Sequence, residues 1–429
     1  MNAFAIPDFE RQFDVRREQA PAFPDYRQKS LDDLRQQGLP GAKTEDWKYT
    51  SVREVLGETF VEATPAAPVA VPECAARHLA VMVNGYLNTD LSRLEDLPEG
   101  VTLCSLAAAR DNHRDQVDAM LGRVVRHDRH PFAALNGAFF RDGLFLDVAP
   151  GTQVQEPLVV LWLSGAGDAA LIQPRVLVRV GEGAELALME QHRGSAAGHF
   201  TNQVSEILVG DNAGLTQVQL QDTGKEQLVC GTHVRCSRDS RYRAQTIDLG
   251  GKLIRNDLAI SLDQPGAEAD ADGVFLAGRD QHVDNHLRVD HRAPNCDSSA
   301  LYKGLLGGGG RGVFNGKLIV HPEGQKTRAE QTNHNLLLAR DVEIDTKPEL
   351  EIYADDVKCS HGSTSGELDP DQLFYLRSRG IDSPEARALL VRSFALEISE
   401  RMNHSRLRDL VGEQLEPALD RLARNELEG

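Results

Sequence analysis

Val180–Leu186 reads VGEGAEL, and Val209–Leu215, which begins 29 residues later, reads VGDNAGL. Both segments follow the pattern apolar-Gly-x-x-Ala-x-Leu, and DQPGAEA at Asp263–Ala269 is a looser third copy. A repeat of roughly 20 to 50 residues with short strands indicates a solenoid, in which each coil buries its inner face on the next. The repeat therefore predicts a β-helix, with a flat β-sandwich as the alternative on these residues alone.

The chain around the repeat is patterned as an all-β core. From Gly143 onward, short runs rich in Val, Ile and Leu, such as LFLDV and RVLVRV, are separated by turn residues about every eight to twelve positions. We predict the β core over residues 140–366. A mostly helical domain with a proline-rich linker is predicted over residues 1–139, and a second helical domain over residues 367–429.

Capping residues predict helices at both ends of the chain. Apolar residues recur at helical spacing near the N-terminus, where Ser30 is the expected N-cap of a second helix. Near the C-terminus, Asp369-Pro370 and Ser383-Pro384 are helix start signals. The C-terminal helices are too few to bury a core of their own, so we expect their apolar stripe to dock on the β core or on a partner.

Composition and charge exclude several function classes. The 429 residues carry a formal net charge of -18, which repels nucleic-acid phosphates and anionic membrane surfaces. No run reaches the roughly 18 to 20 apolar residues of a membrane span, and the N-terminus lacks the apolar run of a signal peptide. The six cysteines form no C-x-x-C pair and are interpreted as reduced thiols. These features predict a cytoplasmic protein that binds neither nucleic acid nor membrane.

Motifs for common catalytic and metal sites are absent or incomplete. Gly307–Gly312 satisfies G-x-G-x-x-G, but VFNGKLIV after it is a strand and not the helix that a dinucleotide site needs. We interpret the glycines as a wide turn or a close backbone approach. The stretch with His282, His286 and His291 also contains Asp284 and Asp290. Solvated or core histidines are the favoured interpretation there, and a zinc or iron site is the alternative.

Cys359 and His361 form the one constellation that points to metal chemistry. On a strand, residues i and i+2 face the same way, so the thiol and the imidazole lie side by side. Thiolate and neutral imidazole are both good ligands for iron. Two ligands do not complete a site, and a buried cysteine beside a structural histidine is the alternative interpretation.

Three segments carry a resemblance to a known family. Lys347–Ser363 reads KPELEIYADDVKCSHGS, Asp371–Ile381 reads DQLFYLRSRGI, and Thr44–Thr50 reads TEDWKYT. These closely resemble the SufB/SufD family of iron-sulfur cluster assembly proteins. The segment Thr44–Thr50 and the KCSHG wording are similar to the SufD branch, with Ser363 as a small departure where Ala is expected.

The resemblance implies a mainly β fold, with a right-handed parallel β-helix core between N-terminal and C-terminal α-helical domains. It implies a non-catalytic scaffold subunit that pairs with SufB and docks the SufC ATPase. A transient iron-sulfur cluster or iron is then expected at the SufB interface, where Cys359 and His361 match the interface positions. The region around Leu389, Leu390 and Phe394 matches the part of the family that docks SufC.

Further expectations concern the cofactors, the oligomeric state and the alternative function. No cofactor is expected to bind the isolated chain tightly, a reduced flavin is reported for some such complexes, and no flavin motif is found in the sequence. Whether the isolated chain forms a homodimer stays open. The alternative function is a carbohydrate-active β-helix enzyme of the pectate lyase type, which would need clustered calcium-binding carboxylates that the sequence lacks.

Overall fold

The computed structural model describes residues 4–16, 22–41, 43–65, 71–72, 74–125, 130–165, 167–194 and 198–425. Two β-sheets face each other along the chain, and successive strands alternate between them to form a β-solenoid of about eight turns. One coil is one strand from each sheet. The predicted mainly β fold, a parallel β-helix between helical ends, is confirmed.

The strands of sheet one are β1 Phe4–Ala5, β2 Thr59–Glu62, β5 Val101–Ser105, β6 Gly143–Val148, β8 Ala170–Ile172, β9 Arg175–Val180, β11 Phe200–Val209, β13 Gln227–Cys236, β15 Leu253–Leu262, β17 His282–His291, β19 Arg311–Val320 and β21 Glu343–Ile352. The strands of sheet two are β3 His78–Val83, β4 Tyr86–Leu87, β7 Leu158–Leu163, β10 Glu185–Arg193, β12 Gly214–Asp222, β14 Arg241–Gly250, β16 Glu268–Ala277, β18 Asp297–Leu306, β20 Arg328–Leu337 and β22 Lys358–Gly366. Because β3 and β5 precede residue 140, the N-terminal segment also contributes strands to both sheets.

The sequence repeat marks equivalent positions in successive coils. Leu186 pairs with Leu215 in the parallel strands β10 and β12, and both side chains are buried. Leu215 pairs with Tyr242, and Tyr242 pairs with Ala269 of the looser third copy. Ala269 therefore lies two coils beyond Leu215. The repeat therefore stacks apolar side chains along the inside of the solenoid, as the β-helix prediction requires.

The glycine-rich segment makes the turn between β18 and β19. Gly309 has a φ of 76°, a conformation that glycine adopts without strain. A Cβ on Gly310 would lie 2.1 Å from the carbonyl oxygen of Ala277. The interpretation as a turn with a close backbone approach is confirmed at these two positions.

The N-terminal helices pack on the outer face of sheet one. They are α1 Phe9–Arg16, α2 Pro24–Gln37, α3 Arg53–Gly57, α4 Leu106–Asn112, α5 Arg114–Met120 and α6 Pro131–Phe139. Phe132 and Trp47 contact Phe200 and its neighbours in one apolar cluster. The predicted cap at Ser30 is wrong, because α2 begins at Pro24 and the Ser30 hydroxyl donates to the carbonyl of Tyr26 inside the helix.

The C-terminal helices cover the outer face of sheet two. They are α7 Pro370–Ser378, α8 Ser383–Glu400 and α9 Ser405–Asn425. Asp369 caps α7, as predicted, and Asp382 is the N-cap of α8, one residue before the expected signal. Val391 and Leu407 pack with outward-facing residues of sheet two such as Val274. The apolar stripe was expected to dock on the β core or on a partner. The stripe of α8 and α9 docks on the β core.

Candidate functional site

The last coil of the solenoid, formed by β21 and β22, leaves its inner face uncovered. Both strands are edge strands of their sheets, and almost every residue of β22 is exposed. Ile352 and Tyr353, at the end of β21, are 43% and 61% exposed. Solenoids require capping of terminal repeats, because an uncovered coil presents inner-face side chains and unpaired backbone groups. We call this end the open end.

Cys359 and His361 lie side by side on the inner face of the open end. In register, Cys359 pairs with Ala329 and His361 pairs with Gln331, and both partners are buried inside the preceding coil. The strand alternation that predicted this shared face is therefore confirmed. Cys359 is half-buried against the inner core, whereas His361 is exposed. Neither side chain is covered by a further coil.

The Cys359 thiol has little thiolate character on its own. Partial burial raises its pKa, and a hydrogen bond from the Ala329 backbone only partly offsets this effect. A thiol with a raised pKa is a poor nucleophile but becomes a ligand once a metal replaces its proton. The raised pKa therefore makes Cys359 a poor nucleophile on its own.

The two free edges differ in their hydrogen-bonding capacity. The N–H group of Lys358 donates to the carbonyl oxygen of Thr327, the residue just before β20, at 2.9 Å, and alternate residues of a parallel strand bond to the same neighbour. Backbone groups of Cys359, His361 and Ser363 therefore face the free edge of β22. By the same alternation Pro348, which has no N–H, lies at the free edge of β21. Strand addition is thus easier on β22 than on β21.

The inside of the solenoid beneath the open end is polar. Asn333 donates to the carbonyl oxygen of Tyr302 at 3.1 Å, and Asn335 donates to the hydroxyl of Ser365 at 3.2 Å. Thr346 donates to Asn333 across the two sheets at 3.2 Å. These bonds add polar contacts beneath and within the last coil to the packing of Leu350 on the inner core.

A second exposed surface lies on α7 and the start of α8. Phe374 and Tyr375 are 73% and 56% exposed, and α7 contains no buried residue. A depression of about 370 Å³ lies between Tyr375, Leu376 and Leu390. Exposed aromatic side chains of this size are typical of a partner surface.

The three residues predicted to dock a partner do not all lie on that surface. Leu389 is 41% exposed and Leu390 lines the depression. Phe394 instead faces the β core: the ammonium of Lys303 lies 4.4 Å from its ring centre and donates to its carbonyl oxygen at 3.0 Å. The structure brings Leu389 and Leu390 together and separates Phe394 from them.

The segment Thr44–Thr50 is tied to the outer face of sheet one. Arg255 is buried, lies 3.8 Å from the ring centre of Trp47, and donates to the carbonyl oxygen of Asp46 at 2.7 Å. Thr50 donates to Asp284 at 2.5 Å. The motif therefore fastens the N-terminal region beside a cleft of about 660 Å³ on sheet one.

The histidines of β17 take part in the same attachment. His282, Asp284 and His286 share one face of the strand β17. Burial by itself raises the pKa of Asp284, but His286 and Arg255 together hold it well below its ordinary value. His282 contacts the Thr50 hydroxyl at 2.9 Å. Within the described residues no group of three or more His, Cys, Asp and Glu side chains could hold a metal, so the core interpretation is favoured.

Comparison with known protein families identifies the chain. A model of the SufBD core domain of SUF system FeS cluster assembly matches residues 162–394, and a model of the SufBD N-terminal region matches residues 9–160. The chain belongs to the SufBD family. The predicted resemblance is therefore confirmed, and this SufBD protein is a homologue of SufD.

Curated relatives align over most of their length. An iron-sulfur cluster assembly SufBD family protein of Synechocystis sp. is 33% identical over 395 residues, which are 88% of this chain and 86% of the relative. The iron-sulfur cluster assembly protein SufD of Escherichia coli is 29% identical over 393 residues, 90% of each chain. The chloroplastic protein ABCI7 of Arabidopsis thaliana is 29% identical over 406 residues, covering 89% of this chain and 83% of the relative.

Two groups of candidate residues were missed in the sequence. Sequence spacing does not single out Ile352 and Tyr353 at the open end, or Phe374 and Tyr375 on α7, as exposed residues. Each is a pair of adjacent large apolar residues, but adjacent apolar residues such as Ile319 and Val320 are buried together in this fold, so their spacing carries no signal of exposure. None of the described helices has both the length and the apolar character of a membrane span.

Proposed function

We propose that this SufBD protein is a non-catalytic scaffold subunit of an iron-sulfur cluster assembly complex. The observation that carries the proposal is the open end, where Cys359 and His361 face outward from an uncapped coil. A second β-solenoid placed against this end, for which SufB is the candidate, would cover the edge and supply the missing ligands. The nascent cluster or iron is cargo at that interface.

Two features support the pairing. β22 is a long edge strand with free backbone groups, a surface that folded proteins normally cover. Ile352 and Tyr353 add exposed apolar area beside it. The carbohydrate-active alternative is not favoured, because the family to which the chain belongs is described by iron-sulfur cluster assembly.

The surface of Phe374, Tyr375, Leu389 and Leu390 is the proposed docking site for the SufC ATPase. It lies on α7 and α8, and α8 packs on sheet two, whose last strand is β22. Movement of the ATPase would therefore be passed through α8 to the sheet that carries Cys359 and His361. A reduced flavin in the assembled complex stays a prediction without an assigned site.

The test is cluster assembly on the reconstituted complex with the variant His361→Ala. We expect cluster yield, measured by absorbance and by iron and sulfide content, to fall to background while the complex still co-purifies. His334→Ala is the matched control, because His334 is on the adjacent strand β20 and bonds to the Thr364 hydroxyl. Normal yield from His361→Ala would exclude the ligand role.

A further inference from the structure

Gln331 lies directly beneath His361 on the inner face of sheet two. The two residues are register partners in β20 and β22, and Gln331 is only 1% exposed. Neighbouring parallel strands are about 4.8 Å apart, so the side chains at these positions are within contact distance. Gln331 therefore belongs to the immediate surroundings of the proposed ligand.

The amide of Gln331 is anchored by its nitrogen. Nε2 donates to the carbonyl oxygen of Gly316 at 3.2 Å across the solenoid. A Cβ on Gly316 would lie 2.3 to 2.4 Å from the amide atoms, so only glycine leaves room for this arrangement. The bond to a carbonyl requires the nitrogen at that position, which places Oε1 on the other side of the amide.

The oxygen Oε1 of Gln331 is buried and has no hydrogen-bond partner among the described residues. A buried acceptor without a donor destabilises the folded chain, so a donor is expected nearby. The neighbours of Gln331 in register are Ala300 on one side and His361 on the other. Ala300 and the adjacent inner residue Ala329 have no side-chain donor, and the other adjacent inner residue, Asn333, already donates to the Tyr302 carbonyl and to Asn335. His361 is the neighbour with an N–H group to offer.

We propose that Gln331 is a positioning residue that accepts a hydrogen bond from Nδ1–H of His361. Nδ1 is the ring nitrogen nearer the backbone, so a turn of the exposed His361 ring toward the preceding coil would bring Nδ1 to Oε1 and leave Nε2 toward the open end. A hydrogen bond at one ring nitrogen selects the tautomer and leaves the other nitrogen as the ligand. Gln331 therefore prepares His361 to bind metal through Nε2. This inference rests on the proposed function of His361.

The experiment reads the tautomer directly on the full chain without metal or partner. Histidine is labelled with ¹⁵N, and long-range ¹H–¹⁵N spectra are recorded at about pH 8, where an ordinary imidazole is neutral. The variant His361→Ala assigns the signals. In the wild-type chain we expect the Nδ1–H form to dominate, with Nε2 at the shift of an unprotonated nitrogen. In Gln331→Leu the dominant form should reverse to Nε2–H.

Two further variants separate positioning from a general effect on folding. Gln331→Glu keeps an acceptor oxygen, so Nδ1 of His361 should remain protonated. Gly316→Ala displaces the amide and should reverse the tautomer as Gln331→Leu does. The signals of His334, on the outer face of β20, should not change in any of them.

Equal tautomer populations in the wild-type chain and in Gln331→Leu would overturn the proposal. So would reversal in Gln331→Glu, because a retained acceptor should retain the bond. These readouts need neither iron nor a partner. Failure of the positioning role is thus distinguishable from failure of the proposed function, which is measured as cluster yield.

Discussion

At the scale of single residues, burial inside the solenoid favours the neutral form of Asp248. Asp248, on the inner face of β14, is fully buried and accepts hydrogen bonds from Asn256 at 3.1 Å and Asn285 at 2.8 Å. Burial raises its pKa to about 7, and the two amides only partly offset this. The folded chain therefore keeps this proton at pH values where an unfolded aspartate, with a pKa near 3.9, has lost it.

This difference predicts a pH-dependent loss of stability. The folded state binds the extra proton, so the contribution of Asp248 is greatest below about pH 4 and is lost as the pH rises through about 7. The ceiling is about 4 kcal/mol, from roughly three pKa units at 1.36 kcal/mol each. We expect the stability of Asp248→Asn relative to the wild-type chain to rise between about pH 5 and pH 8. Urea unfolding at both pH values measures it, and parallel pH profiles would contradict it.

At the scale of secondary-structure elements, α7 contributes little to the fold of its own chain. It contains no buried residue and presents two exposed aromatic side chains, Phe374 and Tyr375. A helix with this exposure is not stabilised by core packing. Its exposed residues are therefore better explained by a partner than by the stability of the chain.

Phe374→Ala should weaken docking of the ATPase partner without destabilising the chain. Truncation of a central interface aromatic typically costs 2 kcal/mol or more, which corresponds to at least a tenfold loss of affinity. Titration calorimetry with the purified ATPase measures the affinity, and thermal unfolding measures the stability. Arg377→Ala, an exposed change in the same helix, is the control. A large drop in unfolding temperature for Phe374→Ala would assign Phe374 to the fold instead.

The free edge of β22 offers backbone groups to which another strand can bond. The N–H group of Ser363 faces the free edge by the alternation that places Lys358 against β20. Proline at this position removes a donor from the edge while leaving the bonds to β20 in place. The change therefore discriminates between pairing within the chain and pairing with a partner.

Ser363→Pro should abolish strand addition on β22 while the chain stays folded. We expect co-purification with the β-solenoid partner to fall at least tenfold, and the circular dichroism spectrum to match the wild type. Ser363→Ala, which keeps the N–H group, should pair normally. Undiminished pairing of Ser363→Pro would show that the partner does not bond to the β22 edge.

At the scale of the whole molecule, the two ends of the solenoid are unequal. At the N-terminal end, β4 pairs antiparallel with β3 and β5 pairs antiparallel with β6, which closes the first coil. The C-terminal end has no described strand or helix over it. The helical regions cover the outer faces of the two sheets, so among the described residues the open end is left uncovered.

Local sequence determined much of this protein. The Gly-x-x-Ala-x-Leu repeat predicted the stacked coils because identical inner positions recur in each coil, and strand alternation placed Cys359 beside His361. The helix start at Asp369 followed from its capping chemistry. The prediction of an N-cap at Ser30 was wrong, because α2 begins six residues earlier at Pro24. These outcomes depend on contacts within a few residues.

Only the tertiary structure decided which faces are covered. Phe374 and Phe394 belong to the same kind of helical pattern, yet one is exposed and the other contacts Lys303 of β18, 91 residues away. Gln331 acquires its position under His361 and against Gly316 only when separate coils stack. The exposure of a side chain and its buried hydrogen bonds depend on contacts between distant segments. The spacing of residues along one strand or helix carries no information about those contacts. The open end is therefore a property of the stacked coils.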